Sequence, residues 1–293
     1  MRSRCLAWWL LRSGLQPVLL KGGSKALKDY CSRLYWPQCT PDQLALLVRG
    51  RDIGDHSFGQ TNPRIVIVGG RTGSGKTRVL MALRRLGAQV LDLEGLANHR
   101  GSAFGWIGQQ PQPSNEQYAL DVAMAWHAFD PKRVVFVEDE GSSVGKVSVP
   151  PLLYAAMRRA PLIVKLVIPL EARLNMLVDD YAGEEAKADT ENWGPRMEEA
   201  ITRMGKRLGA DTVRVLLEYL AAGDVRGVAL MMLQYYDKLY DKHVGNGSGS
   251  GNGTGTRAGC LVEVEVDSEV VRLDDQQLAS MVLDKVKVHQ FRC

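Results

Sequence analysis

The chain has 293 residues, 45% of them hydrophobic and 24% charged, a balance that suits one large domain with smaller additions. Its net charge of +4 permits a nucleic-acid partner without demanding one. The five cysteines (Cys5, Cys31, Cys39, Cys260, Cys293) include no C-x-x-C pair, which argues against a zinc site and a disulfide framework, and no run reaches the ~18 uncharged apolar residues of a membrane helix. No membrane contact is expected, and a reducing, cytoplasmic setting fits best.

Taken in order, residues 3–14 read as a short helix with Leu6, Trp9 and Leu10 on one face and Gly14 as its C-cap. Pro17-Val18-Leu19-Leu20 reads as a strand, Lys21-Gly22-Gly23 as a turn, and a second helix runs to Tyr30. Residues 1–28 also carry six basic residues and no acidic one, the composition of a transit peptide, so mitochondrion or plastid is the alternative location. A connector with Pro37, Pro41 and Pro63 follows over 37–63.

The α/β domain is expected over 64–169, opening with Ile65-Val66-Ile67-Val68 as a buried parallel strand. Gly70 to Thr77 then fits G-x-x-x-x-G-K-[ST] at every fixed position, between a strand and a helix of residues 75–86. Gly70, Gly73, Ser74 and Gly75 let backbone N–H groups converge on phosphate oxygens, and the helix N-terminus adds partial positive charge. Lys76 supplies a point charge and Thr77 a hydroxyl for Mg²⁺. A phosphorylated ligand is expected here.

Ala88 to Leu93 reads as the second strand, followed by a polar, glycine-rich loop that holds His99 and Arg100 at the ligand-binding rim. Asp92-Leu93-Glu94-Gly95 imitates the D-x-x-G of GTPases, but no N-K-x-D follows to select guanine. A helix from Asn115 to Phe129 is capped by Ser114, and Arg133 to Val137 is the next strand. It ends in Glu138-Asp139-Glu140, which looks like a Walker B element. Glu138 and Asp139 point to opposite faces, so one of them sits at the metal. Asp139 is taken as that ligand beside Thr77, and His99, Arg100, Glu138 and Asp139 are the candidate catalytic residues.

A helix of residues 151–159 and a strand from Leu162 to Ile168 complete a doubly wound parallel sheet of the P-loop NTPase-like kind. Residues 170–244 read as a helical region, with helices near 170–181, 193–208, 211–222 and 224–239. Arg196, Arg203 and Arg207 form one stripe of the second, suited to an RNA backbone or simply a solvated face. A flexible Gly-rich linker spans 245–259, and a strand (Leu261 to Val266) and a helix (Asp274 to Val286) occupy 260–293.

These residues together resemble the bacterial-type tRNA 2-selenouridine synthases. The resemblance rests on the P-loop, on Leu96-Ala97-Asn98-His99-Arg100-Gly101-Ser102-Ala103-Phe104-Gly105, and on Val137-Glu138-Asp139-Glu140-Gly141-Ser142. Farther on it rests on Lys206-Arg207-Leu208-Gly209 and on Gln234-Tyr235-Tyr236-Asp237-Lys238-Leu239-Tyr240-Asp241. Leu20-Lys21-Gly22-Gly23-Ser24-Lys25-Ala26-Leu27 is similar to the L-x-G-G-x-x-A-[WY] of a rhodanese domain except at the aromatic, so 1–36 resembles the closing part of that domain.

The resemblance implies a transferase that replaces the sulfur of 2-thiouridine at the tRNA wobble position with selenium from selenophosphate. It also implies an S-geranylated intermediate made with geranyl diphosphate, and the P-loop then holds either that ligand or ATP. The rhodanese cysteine of such enzymes lies in a loop reading roughly C-W-R-G-G-M-R-S, which Met1-Arg2-Ser3 does not match, and Cys5 is not the equivalent position. The expectation is a chain that alkylates thiolated tRNA without completing the exchange. A P-loop small-molecule kinase with a lid of Arg158, Arg159 or Arg173, and a non-catalytic tRNA-binding remnant, are the alternatives.

Overall fold

The structure, a computed structural model, describes residues 63–183, 190–245, 260–267 and 274–290. The expectations for the rhodanese-like segment and Cys5, nearly all of the connector, and the glycine-rich linker beyond Gly245 lie outside these residues.

Five parallel strands make the central sheet: β1 (Ile65–Gly70), β2 (Gln89–Leu91), β3 (Val135–Glu138), β6 (Leu162–Val167) and β7 (Cys260–Glu265), in the order β2-β3-β1-β6-β7. The β-branched run that opens β1 favours extended backbone and packs on both faces. Alternation divides it. Ile65 and Ile67 join Leu91, Val135, Val137 and Ile163 on one face, under α3 (Asn115–His127) and α4 (Pro151–Arg158). Val66 and Val68 join Val90, Phe136 and Val164 on the other, under α1 (Lys76–Arg85), α5 (Leu170–Ala182) and α10 (Asp275–Gln290). Helices on both faces of a parallel sheet give the doubly wound α/β fold expected from the sequence.

Local chemistry sets the ends of these elements. Ser114 caps α3 by accepting from the Gln117 N–H at 3.1 Å, and Pro151 opens α4, where its missing N–H has no helical partner to lose. The second strand stops at Leu91 instead of Leu93, because Asp92 accepts from the Gly95 N–H at 2.8 Å and caps a helical turn, α2 (Leu93–Leu96). A small hairpin, β4 (Ser143–Val144) with β5 (Val147–Ser148), turns at Gly145 with φ +59°. The Gln112 side chain pins it, donating to the Val144 carbonyl at 3.0 Å and accepting from the Lys146 N–H at 2.8 Å.

The helical region follows α5. The helix expected over 193–208 is two pieces, α6 (Thr190–Arg203) and α7 (Gly205–Leu208), separated at Met204, whose φ/ψ of −82°/−1° interrupts the α-helical ladder. With α8 (Ala210–Ala221) and α9 (Val225–Gly245) they enclose Met197, Ile201, Met204, Leu216, Val228 and Met232. Phe104 and Ile107, from the loop after α2, plug into the same cluster and tie that loop to the helices. Among the described residues no helix is long and apolar enough to cross a membrane.

The strand and helix after the linker are integral to the sheet. β7 pairs along all of β6, an ion pair joins Lys165 to Glu263 at 2.7 Å, and Leu278 and Val282 of α10 pack among the residues of α1. Leu278→Ala should therefore destabilise the whole fold by about 2–5 kcal/mol in one cooperative transition. Thermal melting checks it, and a main transition left at the wild-type temperature would contradict this packing.

Candidate active site at the carboxyl edge of the sheet

The loop between β1 and α1 folds around its glycines. Gly75 begins the helix at φ +74°, a left-handed backbone angle that favours glycine, and the Met176 side chain packs close against it. Lys76 curls back, its Nζ donating to the Gly70 carbonyl at 3.4 Å and lying 3.8 Å from Glu138 Oε1. The Thr77 hydroxyl sits 3.0 Å from Glu94 Oε2 and 3.2 Å from Glu138 Oε2, so its single proton serves one carboxylate at a time. Ser74 is buried, and its hydroxyl finds no partner among the described residues.

Three carboxyl groups crowd this point. Oxygens of Glu94, Glu138 and Glu140 lie within 4.8 Å of one another. Gly101, at φ +65°, makes room for them, since a Cβ there would collide with Glu94. Burial first, then mutual repulsion, pushes Glu94 and Glu138 up to about 8 and Glu140 to about 7, although Lys76 works against the shift.

The expected metal ligand needs correcting. Asp139 turns to the opposite face from Glu138, as neighbouring residues at the end of a strand do, and lies 3.7 Å from Arg158. Glu138 takes the position beside Thr77. His99 is likewise not a cavity residue: it is buried beneath its own loop, where Nδ1 accepts from the Gly101 N–H at 3.1 Å and burial lowers its pKa. A neutral ring with its proton on Nε2 shapes the loop there.

Arg100 does face the cleft. Its Nη1 donates to the Asp180 carbonyl at 2.6 Å, and its guanidinium lies 5.7 Å from the Tyr181 ring centre. Asp180 and Tyr181, unremarked in the sequence, gather the neighbouring elements: Arg78 donates to Asp180 Oδ1 at 2.5 Å, Ser102 and Tyr181 share a 2.8 Å hydrogen bond, and Trp193 donates to the Tyr181 carbonyl at 2.6 Å. Glu94 and Glu140 were also missed as site residues; the Asp92-Leu93-Glu94-Gly95 and Glu138-Asp139-Glu140 runs held that signal.

These groups line one cavity of about 640 Å³. One end is the P-loop with the carboxyl cluster; the other is apolar, walled by Phe104, Met197, Val228 and Met232 of the helical-region cluster. The arginine stripe lies elsewhere on the helical region. Arg203 and Arg207 are exposed, Arg203 pairs with Glu199 at 2.5 Å and rests 5.2 Å from the Trp106 ring centre, and Arg196 is half-buried. The break at Met204 ends the single helix that would align all three. Of the lid arginines, Arg173 is buried and Arg158 faces Asp139.

The raised carboxyl values carry a pH dependence. Between the ordinary value of 4.5 and about 8, the folded protein holds protons that the unfolded chain releases. Stability from this source is therefore full below about pH 4.5 and is lost as pH rises through 8. Across pH 5.5–9 the ligand-free protein should show a falling melting temperature, with a shallower fall in Glu94→Gln, which stays neutral. Parallel curves for the two proteins would contradict the cluster as described.

Comparison with known proteins agrees with this architecture. The family profile described as the tRNA 2-selenouridine synthase AAA domain matches residues 63–262. Proteins named tRNA 2-selenouridine synthase are similar to the chain: one from Hydrogenovibrio crunogenus at 32% identity over 82% of this chain and 65% of its own length, and one from Shewanella loihica at 30% over 84% and 65%. A third, from Sulfurovum sp., is 30% identical over 83% of this chain and 65% of its own. The chain thus spans about two thirds of the length of these relatives. With the family profile matching well over half of its residues, this chain belongs to the tRNA 2-selenouridine synthase family.

Proposed function

We propose that the chain binds geranyl diphosphate and transfers the geranyl group to the sulfur of wobble 2-thiouridine in tRNA, within a sulfur-to-selenium replacement that uses selenophosphate. The observation that carries this reading is the joining of a phosphate cradle to an apolar wall within one cavity. A diphosphate ester with an isoprenoid tail has that polarity, with charge at one end and hydrocarbon at the other. The names of the similar proteins supply the tRNA and the selenium.

In the transfer, the sulfur forms a bond to the first carbon of the geranyl group. The bond from that carbon to diphosphate oxygen breaks, its electron pair leaves with the diphosphate, and the proton on the neighbouring ring nitrogen is lost. The P-loop N–H groups and Lys76 hold the departing charge, and Arg100, at the rim, is placed for a phosphate oxygen or the incoming nucleotide. Mg²⁺ fits the hard oxygen donors of Thr77, Glu94 and Glu138, whose clustered carboxyls invite a divalent cation. Bound there, it neutralises charge on the diphosphate. Arg203 and Arg207, with Arg196 beside them, are the proposed contacts to the tRNA backbone, and the cytoplasm is the proposed setting.

Removing the Lys76 charge tests the cradle. Lys76→Ala should cost about 1.5–3 kcal/mol in diphosphate binding, or about tenfold to somewhat over a hundredfold in Kd. Calorimetric titration of geranyl diphosphate and of ATP against both proteins measures it. Tighter binding of ATP than of geranyl diphosphate would favour a nucleotide site, and unchanged affinity for both ligands would contradict the reading.

A further inference from the structure

The P-loop is braced from behind by a buried guanidinium. Arg173, in the first turn of α5 and 3% exposed, donates from Nη1 to the Thr72 carbonyl at 3.1 Å. The same guanidinium closes a fork on Asp237, with Nη1 to Oδ1 at 2.9 Å and Nη2 to Oδ2 at 2.7 Å. Arg71 brings a second positive charge to 3.7 Å from that carboxylate. Thr72 belongs to the phosphate cradle, and Asp237 belongs to α9, whose Val228 and Met232 form part of the apolar wall. One side chain therefore ties together the two ends of the cavity, yet neither Arg173 nor Asp237 lines it.

The form of the tie suits a gauge better than a glue. A buried ion pair repays little beyond the cost of taking its charges out of water, so net stability is a weak reason to keep one. A two-bond fork, by contrast, fixes direction as well as distance. Its third bond goes to main chain and so reaches the P-loop whatever side chains the loop carries. Gly73 continues the contact, since a Cβ on it would stand only 3.1 Å from the Arg173 carbonyl.

We infer that Arg173 and Asp237 are positioning residues that set the separation between phosphate cradle and apolar wall, and thereby favour ligands that span both. The inference rests on reading the cavity as the site of a chain-bearing diphosphate. Loosening the fork lets α9 shift against the P-loop, which costs a ligand held at both ends but spares one held only by its phosphates.

Two probes separate the halves: inorganic pyrophosphate, which needs the cradle alone, and geranyl diphosphate, which needs both. Their dissociation constants are measured for wild type, Asp237→Asn and Asp237→Glu, with melting curves to show that each variant folds. The expected result is a loss of roughly tenfold in affinity for geranyl diphosphate with pyrophosphate binding unchanged. Should Asp237→Asn fail to fold, Asp237→Glu, which keeps the charge and the Arg173–Thr72 bond but not the spacing of the fork, decides the matter alone. Equal weakening of both probes, or no weakening of either, overturns the inference while leaving the reading of the cavity intact. A wild-type protein that binds pyrophosphate as tightly as geranyl diphosphate overturns both.

Discussion

Val68 of β1 lies opposite Glu138 of β3 in a parallel pair, and that register governs the carboxyl edge of the sheet. Two residues past Val68 the chain enters the P-loop; at Glu138 the partner strand ends. The pairing therefore delivers Thr77 and a carboxylate to the same place, with the 3.2 Å contact as its outcome. Because side chains alternate along a strand, shifting the pair by one residue would present Asp139 to the P-loop and bury Glu138 behind it. The hydrophobic pattern forbids that slip, since it would also move Val135 and Val137 from one core to the other and Phe136 the opposite way.

Once the edge is set, α5 carries its geometry outward. Its first turn holds Arg173 behind the P-loop, its middle packs Met176 and Leu177 against the loop glycines, and its last turn collects Arg78, Arg100 and Ser102 at Asp180 and Tyr181. Loop and helices thus meet across a single cavity whose two ends differ in polarity. Desolvation of three carboxyls at the polar end is unfavourable for the ligand-free protein, and positive charge beside them, such as that of Lys76, works against it.

Much of this was legible in the residues. The strand–glycine–helix run of Ile65 to Thr77 carries both its secondary structure and its chemistry, because the motif needs fixed residue types at fixed spacing. Arg100 was placed at the rim by its position after β2. The opposite outcome for His99 came from tertiary packing: nothing local tells a loop histidine aimed at a ligand from one folded under its own backbone. Asp139 and Glu138 could be assigned to opposite faces, but which face holds the P-loop depends on the register with β1. Asp180 and Tyr181 were invisible as site residues, since their importance comes from partners 79 to 102 positions away, and Asp237 showed only as part of a longer run whose contact with Arg173 lies 64 positions off. The β4–β5 hairpin was too short for any periodicity to show.

The central claim is that phosphate cradle and apolar wall serve one ligand. The most direct measurement is photo-cross-linking with an allylic diphosphate that carries a photoreactive group at the far end of its chain, followed by mass spectrometry of the labelled peptides. Labels on α6 and α9, at or beside Met197, Val228 and Met232, and their suppression by unlabelled geranyl diphosphate, are the expected result. Labels confined to α1 and α10, or labels that geranyl diphosphate does not suppress, would contradict it.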